Sequence, residues 1–127
     1  MALRVLLAAA LGAAIGFQRE RSHRPAGLRT HMLISSGAAL FTAISALIFP
    51  DGDPSRIAAG VVTGIGFIGA GTILHRSHVI EGLTTAASIW AVAAIGMTAG
   101  GGLYILSVIS AVIVFLILLI PHRSGEK

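Results

Sequence analysis

The sequence predicts an all-α membrane protein with five transmembrane helices in one domain, about residues 1–120, followed by a short cytoplasmic tail, 121–127. Composition is the first observation: 55% of the residues are apolar and only 11% are charged, whereas about a quarter are charged in ordinary soluble domains. The second is a series of long apolar runs, and the third is that basic residues lie between them. A very apolar soluble domain is the alternative, which we disfavour because a chain of this length exposes much of its surface.

Five apolar runs approach or reach the length needed to cross a bilayer, about 17–25 residues. Arg4, near the start of the first run, resembles the basic beginning of a signal peptide. The polar segment "QRER" follows this run directly, with no separate small-residue cleavage site, so we expect a retained helix. The runs cover residues 2–18, 31–49, 57–74, 83–99 and 103–120.

Basic residues between the runs predict the orientation, because cytoplasmic loops are enriched in Lys and Arg. Two of them, Arg4 and Arg56, fall on one side of the predicted helices. The seven that fall on the opposite side are Arg19, Arg21, Arg24, Arg29, Arg76, Arg123 and Lys127. The side with seven basic residues is expected to be cytoplasmic, which places the N-terminus outside and the C-terminus in the cytoplasm.

A polar phrase occurs twice, as "RSHRPAGLRT" at 21–30 and "RSHVIEGLTT" at 76–85. The shared register predicts an internal repeat of two helical hairpins, repeat A at about 2–49 and repeat B at about 57–99. Both loops fall on the cytoplasmic side, so the repeat is expected to be parallel, about an axis along the membrane normal. The fifth run stands outside the repeat.

The repeated loops are candidates for an anion-binding surface. Gly27 and Gly82 are expected to end tight turns, and Thr30 and Thr85 to cap the helices that follow. Helix N-termini beside guanidinium groups attract anions. Arg29 has no basic counterpart in the second copy, so the charge is expected mainly in the first loop. The alternative is a positive anchor that binds anionic lipid headgroups, in which Glu20 pairs with an arginine such as Arg24 at i, i+4 spacing.

Small residues dominate the third and fourth runs, which favours close approach of helices in lipid. We expect the third run to pack between neighbours at the centre of the fold; the alternative is an unwound glycine segment lining an ion path. Trp90, near the middle of the fourth run, either fills a gap or lines a cavity. The fifth run is bulky and expected to face lipid. The third-run glycines are Gly60, Gly64 and Gly71 on one face and Gly66 and Gly69 on another.

Charged residues do not occur in the middle of any run, whereas ion carriers usually place them at that depth. Asp51 and Asp53 in "PDGDP" are typical of a turn, and the two histidines of "HRSH" are a weak metal signal. The chain has no cysteine. With no nucleophile–base arrangement in view, we expect no enzyme, no cofactor and no bound metal.

Three segments resemble the MgtC/SapB family of bacterial inner-membrane proteins over nearly the whole chain. They are "LGAAIGFQRERSHRPAGLRTHMLISSGAALF", "GVVTGIGFIGAGTILH" and "GLTTAASIWAVAAIGMTAGGG". The resemblance implies a five-span membrane domain, growth under Mg²⁺ limitation, survival inside host cells, and a regulatory role through membrane potential or partner proteins.

The sequence departs from that family at Gln18, where many relatives have Glu, and at Thr84, where some have Asn. Some relatives also have a soluble C-terminal domain that this sequence does not include. The functional positions that the resemblance implies are Arg19, Glu20, Arg24, Gly27, Arg29, Thr30, Gly66, Gly69, Gly71, Gly82, Thr84, Thr85 and Trp90.

Three functions follow as hypotheses. The first is a non-enzymatic regulator whose cytoplasmic loops meet a partner protein, an anionic lipid or a small anion. The second is a small channel or transporter that uses the third-run glycines in an oligomeric pore, and the third is a scaffold for another membrane subunit. The expected partners are the bilayer, a membrane protein and a second copy of the chain, but no nucleic acid.

Overall fold

The computed structural model describes residues 1–121; the predicted tail, with Arg123 and Lys127, lies outside the described residues. Five helices and one short hairpin make up the described chain. A two-stranded antiparallel hairpin, β1 and β2, precedes the fourth helix. The elements are α1 (Ala2–Arg21), α2 (Leu28–Ile48), α3 (Pro54–Ala70), β1 (Leu74–Arg76), β2 (Val79–Glu81), α4 (Leu83–Gly100) and α5 (Tyr104–Leu118).

The third helix lies earlier in the chain than its apolar run predicts. Asp53 is its N-cap residue, and Pro54 is the first residue of the helix, a position where proline loses no helical hydrogen bond. The helix ends at Ala70, so the prediction of helix through residue 74 is wrong. Leu74 belongs to β1 instead, because an apolar run continues equally well as a strand. The all-α prediction therefore holds apart from this hairpin.

Length and composition make three helices, α1, α2 and α4, candidates to cross a membrane. The apolar helices α3 and α5 have 17 and 15 residues. At 1.5 Å per residue they are about 25 Å and 22 Å long, somewhat short of a hydrocarbon core of about 30 Å.

The centre of the fold is α4, which packs against each of the other four helices. Its apolar residues Ile89 and Val92 are fully buried beside Ile15 of α1 and Ile34 of α2. By contrast, α3 contributes one buried residue, Gly69. The expectation of a central third helix is therefore wrong. The fourth run takes that place, and α5 presents mostly exposed apolar side chains.

Glycines bring α2 and α4 into backbone contact. A Cβ at Gly96 would lie 2.3 Å from the carbonyl oxygen of Ser35, and one at Gly100 would lie 2.3 Å from that of Ala39. Both pairs have i, i+4 spacing, which is the small-xxx-small pattern of close helix packing in membranes. The contact between α2 and α4 therefore depends on these two glycines.

The two copies of the repeated phrase differ in conformation. In the first, His23 has φ +55° and closes the end of α1, where the Arg24 N–H donates to the Arg19 carbonyl; this is a Schellman motif. In the second, Ser77, at φ +52°, lies between β1 and β2. The helices that follow do begin in the same register, at Leu28 and Leu83.

Candidate functional site

A buried polar network joins α1 to α4 at the end of the fold where α1 terminates. Arg19, in the last turn of α1, is only 3% exposed, and its Nη2 donates a hydrogen bond to Oγ1 of Thr85. Thr85 is the third residue of α4 and is also buried. Two residues from the separate motifs "QRER" and "GLTT" are thus in direct contact.

The same network links α2 to α4. Nδ1 of His31 donates to the carbonyl oxygen of Gly27 at 3.0 Å, and its Nε2 lies 3.0 Å from Oγ of Ser88. Oγ of Ser88 also lies 2.8 Å from the carbonyl oxygen of Thr85. Arg19, Thr85, Ser88 and His31, which we call the buried polar network, therefore connect three helices.

The charge of Arg19 is poorly compensated. Its Nε is buried and has no hydrogen-bond partner within the described chain. Its guanidinium also faces the first turn of α4, where unpaired N–H groups carry partial positive charge. A buried cation beside a positive helix end favours an anion close by.

Gln18 ties the same end of α1 to α5. Its Nε2 donates to the carbonyl oxygen of Leu118 at 3.2 Å, and its Oε1 is buried with no hydrogen-bond partner among residues 1–121. An ionised Glu cannot donate this bond. The contact between α1 and α5 at this position therefore requires the amide of Gln18.

Residues of the first loop gather around a shallow cleft of about 320 Å³ at the start of α2. Oε1 of Glu20 accepts a hydrogen bond from the Leu28 N–H at 3.3 Å, so this carboxylate serves the N-terminus of α2 and not the predicted i, i+4 partner. Arg29 is exposed, and Thr30 and Arg24 are half-buried. The lining residues are Glu20, Gly27, Leu28, Arg29, Thr30 and Leu33.

Threonine capping is a wrong prediction. The N-cap residues of α2 and α4 are Gly27 and Gly82, which have no side chain to cap their helices, and Thr30 and Thr85 lie inside the helices as their third residues. Gly82 has φ +88°, and a Cβ there would lie 2.0 Å from the carbonyl oxygen of Thr72. Only glycine fits this turn.

The remaining predicted positions lie apart from the network and the cleft. Gly66 faces open space, Gly69 packs against Ala86 of α4, and Gly71 caps the end of α3. Thr84 is half-buried. Trp90 is 60% exposed, so it fills no gap within this chain.

Sequence reasoning missed His31 and Ser88, and also the packing glycines Gly12, Gly96 and Gly100. A Cβ at Gly12 would lie 2.1 Å from Oγ of Ser35. The signal for the first two was present, since isolated polar residues in a membrane run usually face the protein interior.

The opposite end of the fold carries no comparable network among the described residues. Nη1 of Arg4 donates to the Gly100 carbonyl at 3.1 Å and joins the start of α1 to the end of α4. Asp53 accepts hydrogen bonds from the hydroxyl and the backbone N–H of Ser55, and these bonds hold the pKa of its carboxyl below the usual range. Within residues 1–121, no three His, Asp or Glu side chains gather as a metal site.

The family model of the MgtC family matches residues 5–126. The chain belongs to the MgtC family. The match includes every residue of the buried polar network and of the cleft. No solved structure matches the chain significantly.

Named relatives agree with this assignment. The chain is 50% identical to "Putative magnesium transporter YhiD" of Escherichia coli K12 over 95% of its own length and 60% of that protein. It is 50% identical to "Protein MgtC" of Brucella abortus strain 2308 over 73% of its length and 39% of that protein. It is 39% identical to "Protein MgtC" of Salmonella typhimurium over 98% of its length and 54% of that protein. The chain thus spans 60% or less of these relatives.

Proposed function

We propose that this chain is a non-enzymatic, multi-pass protein of the bacterial inner membrane that serves adaptation to Mg²⁺ limitation and survival inside host cells. In this proposal it acts through a membrane partner or through the membrane potential. Membership in the MgtC family and the names of its relatives support this role. The buried polar network is the observation that carries it.

The network supports a regulatory role because it holds a fixed cation inside the helical part of the protein. A Mg²⁺ ion passing about 10 Å from the Arg19 guanidinium would meet a repulsion of about 3 kcal/mol at an effective dielectric constant of about 20. An anionic group of a partner or a lipid is attracted by the same charge. The exposed Arg29 beside the cleft offers such a group a first contact at that end.

The topology belongs to the same proposal: five spans, N-terminus outside and C-terminus in the cytoplasm, with two hairpins related as a parallel repeat. The distribution of basic residues supports it, as do the common register of Leu28 and Leu83 and the three long apolar helices. A C-terminal fusion to a periplasmic phosphatase should be inactive, while a C-terminal fluorescent fusion should glow. An active phosphatase fusion would reverse the orientation.

Ion transport through α3 is the second candidate. The name of the YhiD relative favours it, and so does the open space beside Gly60, Gly64 and Gly66. Purified protein in liposomes separates the two proposals. If the protein is a regulator, liposomes that contain it should show no more Mg²⁺ flux than empty liposomes. A Mg²⁺ flux that the wild type supports and Gly64→Leu abolishes would favour transport.

The site is tested by growth at low Mg²⁺ in a strain that lacks the gene, with expression levels matched. Arg29→Ala should impair complementation, because the cleft loses its exposed cation, while Arg29→Lys should restore part of it. Arg21→Ala is the matched control, since Arg21 is exposed but lies over the ring of Phe17, 5.7 Å from its centroid, and does not line the cleft. Full complementation by Arg29→Ala would remove the cleft from the proposal.

A further inference from the structure

An apolar groove runs between α2 and α3, with a volume of about 590 Å³. Its walls extend from Leu33 to Phe41 on α2 and from Arg56 to Ile68 on α3. Every residue of the lining except Arg56 is apolar or glycine. We call it the α2/α3 groove.

Glycines keep this groove open. A Cβ placed on Gly37, Gly60 or Gly64 would have no atom of the described chain within 4 Å. Such glycines usually let helices touch in membranes, yet here the two helix surfaces stand apart. The space they leave is therefore available to a ligand, and its volume lies within the usual range of small-molecule sites, about 300–1,000 Å³.

The length of the groove matches one leaflet of a bilayer. From Arg56 to Ile68 the α3 wall rises 12 residues, or about 18 Å. Half of a hydrocarbon core of about 30 Å is about 15 Å. An acyl chain from a single leaflet would fill the groove along its length.

Charge at one end of the groove indicates the headgroup. Arg56 is exposed in the first turn of α3, next to the loop that joins α2 to α3, which is where a membrane surface would lie. A guanidinium binds phosphate oxygens with paired hydrogen bonds. We propose that the α2/α3 groove binds one phospholipid, with its phosphate on Arg56 and an acyl chain beside Gly60 and Gly64.

A second copy of the chain is a poorer occupant. Two copies in one membrane share their orientation, so a two-fold axis along the membrane normal would pack α3 against α3 in parallel. Arg56 of each copy would then approach the other, and like charges repel.

Native mass spectrometry of the full chain in detergent, with added dioleoylphosphatidylglycerol or dioleoylglycerol, tests this proposal. The wild type should retain one phosphatidylglycerol per chain and favour it over the diacylglycerol, which has the same chains but no phosphate. Arg56→Gln should weaken phosphatidylglycerol binding about fivefold and leave diacylglycerol binding unchanged. The double variant Gly60→Leu/Gly64→Leu should retain less than a tenth of either lipid, because leucine side chains fill the groove.

Gly66→Leu is the matched control, since Gly66 also faces open space on α3 but does not line the groove. It should bind lipid like the wild type. Three results would overturn the proposal. The wild type could retain no lipid, Gly66→Leu could lose as much lipid binding as the double variant, or the wild type could form a dimer that only the double variant disrupts. Arg56→Gln fills no space, so its result stands even if the double variant fails to fold.

Discussion

Replacing Gly96 by Ala should separate α2 from α4 and destabilise the protein. The added methyl group would lie 2.3 Å from the Ser35 carbonyl oxygen, where ordinary contact begins near 3.4 Å. The two backbones must therefore part by about 3.4 − 2.3 = 1.1 Å. Overpacking of this kind costs about 1–3 kcal/mol, and the better helix propensity of Ala offsets up to about 1 kcal/mol of it.

The loss of stability is measured in detergent. A fluorescent fusion is heated, and size-exclusion chromatography then gives the fraction that remains folded. Gly64→Ala supplies the comparison, because the same methyl group there meets no atom within 4 Å. Gly64→Ala should equal or slightly exceed the wild type, and Gly96→Ala should melt earlier. Equal melting of the two variants would refute the argument that α2 and α4 are in backbone contact at Gly96.

Three further changes test other parts of the fold. Thr85→Val should destabilise by about 1.5–3 kcal/mol, because Arg19 loses its buried partner, whereas Thr84→Val should change stability little in the same melting assay. Asp53 has a lowered pKa, so its capping contribution should persist above the ordinary Asp range and disappear as pH falls through that lowered value. The protection of the first-turn amides of α3 against hydrogen exchange, relative to their intrinsic exchange rates, should fall there, and Asp53→Ala should abolish this change in protection. His23→Gly should raise stability by about 1 kcal/mol, because glycine adopts the positive φ at the end of α1 without strain, and an unchanged melting temperature would contradict that account.

Helix positions were largely predictable from the sequence, because apolar runs of bilayer length leave few alternatives. The error at the end of α3 has a local cause. The segment Thr72–Leu74 is apolar enough to extend the helix, yet Gly71 ends α3 and the chain enters β1. Hydropathy does not distinguish the two outcomes, because a short apolar run is compatible with either a helix or a strand.

The location of helix contacts was less predictable. The pairs Gly60/Gly64 and Gly96/Gly100 have the same spacing, but only the second meets a neighbouring backbone. Which glycine pair meets a neighbouring backbone depends on which helix lies at the centre of the fold. That in turn depends on contacts between residues far apart in the sequence. For the same reason the motifs indicated Arg19 and Thr85 separately, while their direct contact required the fold.

His31 makes the link between α2 and α4 a matter of counting hydrogens. The Gly27 carbonyl can only accept, so Nδ1 carries a hydrogen. In the neutral ring Nε2 can only accept, so the single hydroxyl hydrogen of Ser88 is donated either to Nε2 or to the Thr85 carbonyl, and one of these two contacts goes without a hydrogen. A second proton on the ring would satisfy all three contacts but add positive charge near Arg19. The strength of the link between α2 and α4 therefore depends on the position of a single proton.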